Sequence, residues 1–197
     1  TGTELDTESV RRIVRSAARS GGVVVIDEAY REFSEPRFDR TSLAREHDNV
    51  ILVRTCSKAF AAAGMRLGYL LAPLEIATEL RKIVPPFHVS LFHAVLGQVI
   101  FERKDLFEAR VRELLESRDE LMTTLAEIPG VKVVPTHANF FLFEVAEPGK
   151  VFARLAERGV LVRRPGSHPA LARHLRVNVG TREENERFVA ALREALA

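Results

Sequence analysis

Four apolar β-branched residues in a row, Val23-Val24-Val25-Ile26, ended at once by Asp27-Glu28, constrain this chain more than any other feature. β-Branched side chains favour extended backbone. An unbroken apolar run with no polar alternation suits a strand covered on both faces, as in a parallel sheet. A helical pattern precedes the run. Val10, Ile13, Val14 and Ala17 recur at i, i+3, i+4 and i+7 within residues 6–20, and Gly21-Gly22 stops the helix. Val50-Ile51-Leu52-Val53 predicts a second buried strand, and residues 67–72 a third. Helix followed by buried strand, repeated, predicts the α/β class with a mostly parallel sheet.

The pattern then changes. Residues 74–83 read as a short helix closed by Pro85-Pro86. A longer helix from about residue 106 to 125 carries the stripe Phe107, Val111, Leu114, Leu115, Leu121 and Leu125. After the Pro129-Gly130 turn, strands are expected over 131–134, 139–145, 160–164 and 175–179, with a helix over 150–158 stopped by Gly159. Thr181-Arg182-Glu183-Glu184 is a capping box, opening a last helix whose apolar face is Phe188, Ala191, Leu192 and Ala195. The expected organisation is a first region over 1–75, a helical connection over 76–127 and a small α+β domain over 128–197.

Composition narrows the function classes. The 29 Lys+Arg nearly balance the 27 Asp+Glu, so the small positive excess describes no basic face, and nucleic acid is not the expected partner. No stretch approaches the ~18 apolar residues of a membrane helix. The single cysteine, Cys56, excludes an internal disulfide framework and fits a reducing compartment, the cytoplasm. His47, His88, His93, His137, His168 and His174 show no metal-ligand spacing, and no metal site is expected.

Three segments after strands could carry chemistry. Ligands of open α/β sheets sit at the carboxyl ends of strands. Asp27 stands there, and an acid at that place can hold Mg²⁺ or a protonated ring nitrogen, or simply cap the next turn. Four apolar residues followed by Asp27-Glu28 also describe the metal-binding strand of P-loop ATPases, but no Gly-x-x-x-x-Gly-Lys-Ser/Thr loop accompanies them. Arg54-Thr55-Cys56-Ser57-Lys58 follows the second run. Its hydroxyls could bind phosphate, and Lys58 could be a phosphate clamp, a nucleophilic amine or a solvated lysine on a polar turn. Gly64-Met65-Arg66-Leu67-Gly68 sets an arginine, the bidentate partner of phosphate, between glycines. Together, Asp27, Tyr30, Thr55, Ser57, Lys58 and Arg66 match the needs of pyridoxal 5'-phosphate: a Schiff-base lysine, an acid for the pyridinium nitrogen and an anion cup.

The runs Asp27-Glu-Ala-Tyr30, Arg54-Thr-Cys-Ser-Lys58-Ala-Phe60 and Ala63-Gly-Met-Arg66-Leu-Gly-Tyr69 resemble the fold-type-I aminotransferases, and most closely the histidinol-phosphate aminotransferases. The ending Leu175-Arg176-Val-Asn-Val-Gly-Thr-Arg-Glu-Glu-Asn185 is similar to that subfamily as well. Aromatic aminotransferases and threonine-phosphate decarboxylases share much of the pattern. The resemblance implies the C-terminal part of a large pyridoxal-phosphate domain over 1–75, and the small domain over 128–197. It implies that Lys58 binds the cofactor covalently and moves the reaction's proton, that Asp27 pairs with the pyridine nitrogen, and that Tyr30 hydrogen-bonds the ring O3′. It implies Thr55, Ser57 and Arg66 on the cofactor phosphate, and Arg176 on the substrate's anionic group. One guanidinium fork accepts either a phosphate or a carboxylate, which would serve both histidinol phosphate and glutamate. On spacing alone, Arg176 reads equally as an edge-strand arginine in a salt bridge.

Thr1-Gly2 resembles the end of the family's Asn-Pro-x-x-Pro-Thr-Gly segment. The expectation is therefore a C-terminal half that does not transaminate alone, from a homodimeric enzyme with small-molecule substrates. A reading of another class is a non-catalytic unit serving interaction or dimerisation only.

Overall fold

The computed structural model describes residues 1–34 and 40–197. The chain divides into two compact units, Leu5–Ala109 and Thr1–Glu4 with Arg110–Ala197.

In the first unit the order is α1 (Thr7–Arg19), β1 (Val24–Asp27), α2 (Thr41–Glu46), β2 (Val50–Thr55), β3 (Gly68–Leu71), α3 (Leu74–Ile83) and α4 (Leu91–Glu102). Single 3-10 turns lie at Arg31–Phe33 and Ala63–Met65. Asp6 caps α1, its carboxylate accepting from the Ser9 amide at 2.8 Å. The sheet runs β1-β2-β3. β1 lies parallel to β2 with Asp27 opposite Val53, and β3 returns antiparallel with Gly68 opposite Thr55. A side chain on Gly68 would meet the Arg54 carbonyl at 2.8 Å, so this close pairing needs a glycine.

Alternation along the strands sends Val24, Ile26, Val50 and Leu52 to one face, where Val10 and Val14 of α1 and Leu43 of α2 cover them. The opposite face differs from the sequence reading of strands covered on both sides. Val23, Val25, Val53 and Leu70 there are 53, 61, 37 and 42% exposed among the described residues. α4 was not separable from the helical connection by its pattern. Its residues are apolar on almost every side, Leu91, Phe92, Val95 and Val99 outward and Ile100 inward, so no single stripe marks it.

The second unit contains most of α5 (Lys104–Ala126), followed by β4 (Lys132–Val133), β5 (Phe140–Glu144), α6 (Pro148–Glu157), β6 (His174–Asn178) and α7 (Arg182–Leu196). The strands form an antiparallel sheet, β4-β5-β6. Leu121 and Leu125 of α5, Phe141 and Phe143 of β5, Leu155 of α6, Leu175 of β6 and Phe188 and Leu192 of α7 close one core. The Thr181 hydroxyl accepts from the Glu184 amide at 3.3 Å and the Glu184 carboxylate accepts from the Thr181 amide at 2.7 Å, completing the expected capping box.

The strand expected over 160–164 does not form. Only Arg163 pairs, exchanging 2.7 and 2.8 Å backbone hydrogen bonds with Arg176. Pro165 has no N–H and Gly166 has a φ of 99°, so the ladder cannot extend. Gly2 belongs to this unit. It has a φ of 83°, its carbonyl accepts from the His137 amide at 2.7 Å, and an added Cβ would lie 2.2 Å from the Thr136 hydroxyl.

Candidate functional site

The six residues singled out in the first unit come from the ends of its three strands. Asp27 closes β1 and Tyr30 follows in the turn after it. Thr55 closes β2, and Ser57 and Lys58 open the loop toward β3. Arg66 ends that loop two residues before β3. The parallel register sets the β1 and β2 ends side by side, because residue 27 lies opposite residue 53.

The structure brings Lys58 and Tyr30 together across these ends. The Lys58 Nζ lies 5.4 Å from the centre of the Tyr30 ring. Lys58 is exposed and makes no ion pair with a described residue. Asp27 is also exposed. Its Oδ1 accepts from the Ala29 amide at 2.9 Å, so the simple turn-capping role is real, and its other oxygen has no partner among the described residues. The Thr55 hydroxyl accepts from the Ser57 amide at 3.1 Å, folding the start of the loop onto the strand end. Arg66 spends one guanidinium hydrogen bond on the Ala63 carbonyl, at 2.9 Å, and is otherwise open to solvent.

The loop is strained. Ala61 and Arg66 both have a φ of 50°, in the left-handed region that favours glycine. Strain of this kind persists where surrounding structure fixes it, and it gathers at ligand sites. Cys56 anchors the loop from inside. It is fully buried with Ala62 and Ile100, and burial, with the charge of Glu32 behind it, pushes its thiol above the ordinary value. A packed, protonated thiol is the result, not a reactive one.

Glu28 does not point toward the site face. It is buried, and its carboxylate accepts from the Arg54 Nε at 2.7 Å, with Arg40 3.9 Å away. An acid committed in this way is not available to a metal, which removes half of the ATPase-like Asp27-Glu28 pair. Sequence reading gave no role to Arg54 or Arg40. The available signal was a charge of each sign standing in, or directly after, an apolar strand run.

Arg176 lies in the second unit, in the middle of β6. Its guanidinium carbon stands 4.4 Å from the centre of the Phe140 ring and its Nε is buried without a hydrogen-bond partner. It makes no ion pair with a described residue, so no described carboxylate supports the alternative of a salt-bridged edge arginine. An unpaired, partly desolvated guanidinium suits an anion.

The family described as aminotransferase class I and II matches residues 1–192. The chain belongs to that family. A histidinol-phosphate aminotransferase of Carboxydothermus hydrogenoformans is 37% identical over 197 residues, all of this chain and 54% of that protein. The chain thus spans about half the length of the curated relatives it matches. Among solved structures, the histidinol-phosphate aminotransferase of Sinorhizobium meliloti in complex with pyridoxal-5'-phosphate superposes with a TM-score of 0.88 at 26% identity, over all of this chain and 54% of that one. A decarboxylase of Sulfurospirillum multivorans superposes equally well, with a TM-score of 0.88 at 26% identity, over all of this chain and 59% of that one. The fold is therefore that of the C-terminal part of these aminotransferases, a mixed α/β first unit and a small α+β second one. No described helix is long and apolar enough to cross a membrane.

Proposed function

We propose that this chain carries the lysine, the ring acid and part of the phosphate cup of a pyridoxal-phosphate-dependent aminotransferase, and that the whole protein transfers the amino group of histidinol phosphate to 2-oxoglutarate in histidine biosynthesis. The observation that carries the reading is the meeting of Lys58 and Tyr30, with the Lys58 Nζ 5.4 Å from the centre of the Tyr30 ring, at the sheet end where Asp27 closes β1. The residues fit the cofactor by their chemistry. They offer an amine without an ion pair among the described residues, an acid, the hydroxyls of Thr55 and Ser57 and the guanidinium of Arg66, all at the loop end of one sheet.

When bound, pyridoxal phosphate supplies an electron sink for the carbanion formed at the substrate's α-carbon. The protein supplies the rest. Lys58 Nζ anchors the aldehyde carbon and carries the proton removed from the substrate. The Asp27 carboxylate holds a proton on the ring nitrogen by pairing with its positive charge. Tyr30 donates to the ring O3′, and Thr55, Ser57 and Arg66 hold the phosphate. Arg176 receives the substrate's phosphate or carboxylate. Its lack of an ion pair among the described residues supports this role.

The protein as its gene encodes it should show the visible absorbance band of a lysine-bound cofactor, and Lys58→Ala should abolish both the band and transamination. A Lys58→Ala protein that keeps band and turnover overturns the reading. The likeness to the decarboxylase supports a second outcome, release of carbon dioxide from the substrate. Threonine phosphate and the aromatic amino acids are the further substrate classes that the sequence pattern leaves open. Carbon dioxide release, set against glutamate formation with each candidate amine, separates them. We further infer a cytoplasmic homodimer. The unpaired, buried Cys56 supports the reducing compartment, and the outward apolar residues Leu91, Phe92 and Val95 of α4 support a subunit contact.

A further inference from the structure

We propose that the buried Glu28–Arg54 pair is a positioning device that sets, from behind the sheet, the two strand ends presenting Asp27 and Thr55 to the cofactor. The proposal rests on the pyridoxal-phosphate reading above.

Its basis is alternation. Asp27 and Glu28 are neighbours, as are Arg54 and Thr55, so the two members of each couple point to opposite faces. Asp27 is exposed while Glu28 is 3% exposed, and Arg54 is 8% exposed while Thr55 opens toward the loop. The Glu28 amide donates to the Val53 carbonyl at 2.8 Å, so the β1–β2 ladder continues one residue past Asp27. The 2.7 Å side-chain bond between Glu28 and Arg54 therefore spans the strand ends at the level of the two ligand-facing residues.

Arg54 extends the tie. Its Nη2 donates to the Thr41 hydroxyl at 3.0 Å, at the start of α2, and Tyr69 of β3 stands opposite it in the antiparallel register. Burial acts to lower the guanidinium's pKa, but the hydrogen bond and charge of Glu28, followed by Tyr69, outweigh it and hold Arg54 above its ordinary value. One cation on β2 thus ties the end of β1 to the start of α2. Arg40 adds a second positive charge 3.9 Å from Glu28.

Stability alone does not account for such a group. A buried ion pair is often no better than apolar residues of the same volume, whereas fixing register is an attested use of buried polarity. Neither Glu28 nor Arg54 faces the ligand side, so their action on chemistry passes through Asp27 and Thr55. A displacement of about 1 Å at such groups costs up to about a hundredfold in what they do.

Glu28→Gln keeps the shape and removes the charge. It is to be made in the protein as its gene encodes it, stripped of cofactor and titrated with pyridoxal phosphate below the apoprotein's melting temperature. The dissociation constant is expected to rise about tenfold or more, and the absorbance maximum of the bound cofactor to shift as Asp27 loses its alignment with the ring nitrogen. Unchanged affinity and an unchanged maximum, with only a lower melting temperature, would assign the pair to stability and overturn the proposal. If Glu28→Gln does not fold, Arg54→Lys, which keeps the cation and loses the fork, is read by the same two criteria. A parent protein without a band that Lys58→Ala removes defeats the cofactor reading itself, a failure distinct from that of the pair.

Discussion

The two sheets of this molecule solve burial differently. In the second unit β5 is covered on both sides: Phe140, Phe141, Leu142 and Phe143 are all buried, two toward the helices and two toward the other face. In the first unit β1 and β2 bury one side, while on the other Ile51 is buried but Val23, Val25 and Val53 stay at least a third exposed. The sequence signature, a run of apolar residues without alternation, is the same in both. What differs is whether described residues cover the second face. The half-covered sheet is also the one whose ends carry the candidate site residues Asp27, Thr55 and Lys58 and the strained loop. An open face with a lysine and an acid at its rim is a surface for something else, whereas the closed sheet is a core.

The contrast can be broken most directly by a pair of substitutions. Phe143 is fully buried and packs edge-on against Phe188, with ring centres 5.8 Å apart. Phe143→Ala should cost about 3–5 kcal/mol in denaturant unfolding of the full protein. Val25→Ser, on the open face, should change stability by about 0.5 kcal/mol or less. A Val25→Ser cost approaching that of Phe143→Ala would mean that the face is covered in solution, and the contrast between the sheets would vanish.

Most elements were legible because each carries a local signal. The Asp6 cap and the Gly21-Gly22 stop bracket α1, the four-residue apolar runs mark β1 and β2, and the capping box opens α7. What was illegible lacked a period or depended on partners distant in sequence. α4 is apolar nearly all round, and the stretch at 160–164 has strand composition but meets Pro165 before a ladder can grow. The site residues were legible as types at strand ends. Their arrangement was not: nothing in the order of residues says that Lys58 meets Tyr30, or that Glu28 turns inward to Arg54 while Asp27 turns out. Arg176 shows the limit from the other side, since only the structure reveals that no carboxylate among the described residues answers it.

A second comparison sets two of the capped helices, α7 and α1, against each other. α7 buries Phe188, Ala191, Leu192 and Ala195 along with Asn185, so packing secures it independently of its cap. Thr181→Ala removes the hydroxyl that accepts from the Glu184 amide and should cost about 1 kcal/mol, read as a shift in the unfolding midpoint without a change in the slope. A loss several times larger would show that the cap, and not the Phe143–Phe188 core, holds α7 in place.

The smallest effect concerns α1, which buries only Val10 and Val14 and leaves Ile13 half-exposed. Its cap, Asp6, is an acid, so its worth depends on pH. The Ser9 hydroxyl, then the Ser9 amide and more weakly the charge of Arg12, hold the carboxyl below its ordinary value against a small opposing effect of burial. A depressed folded value means that the ionised form is the stabilised one. The contribution is present above the ordinary carboxylate pKa and is lost as pH falls through the folded value. Asn caps about as well as Asp but does not titrate. Asp6→Asn should therefore leave stability near neutral pH almost unchanged and flatten part of its decline as pH falls below the ordinary carboxylate range, measured as the denaturant midpoint of the full protein. An identical acid limb in parent and variant would place the pH dependence elsewhere and leave α1 held by Val10 and Val14 on the sheet.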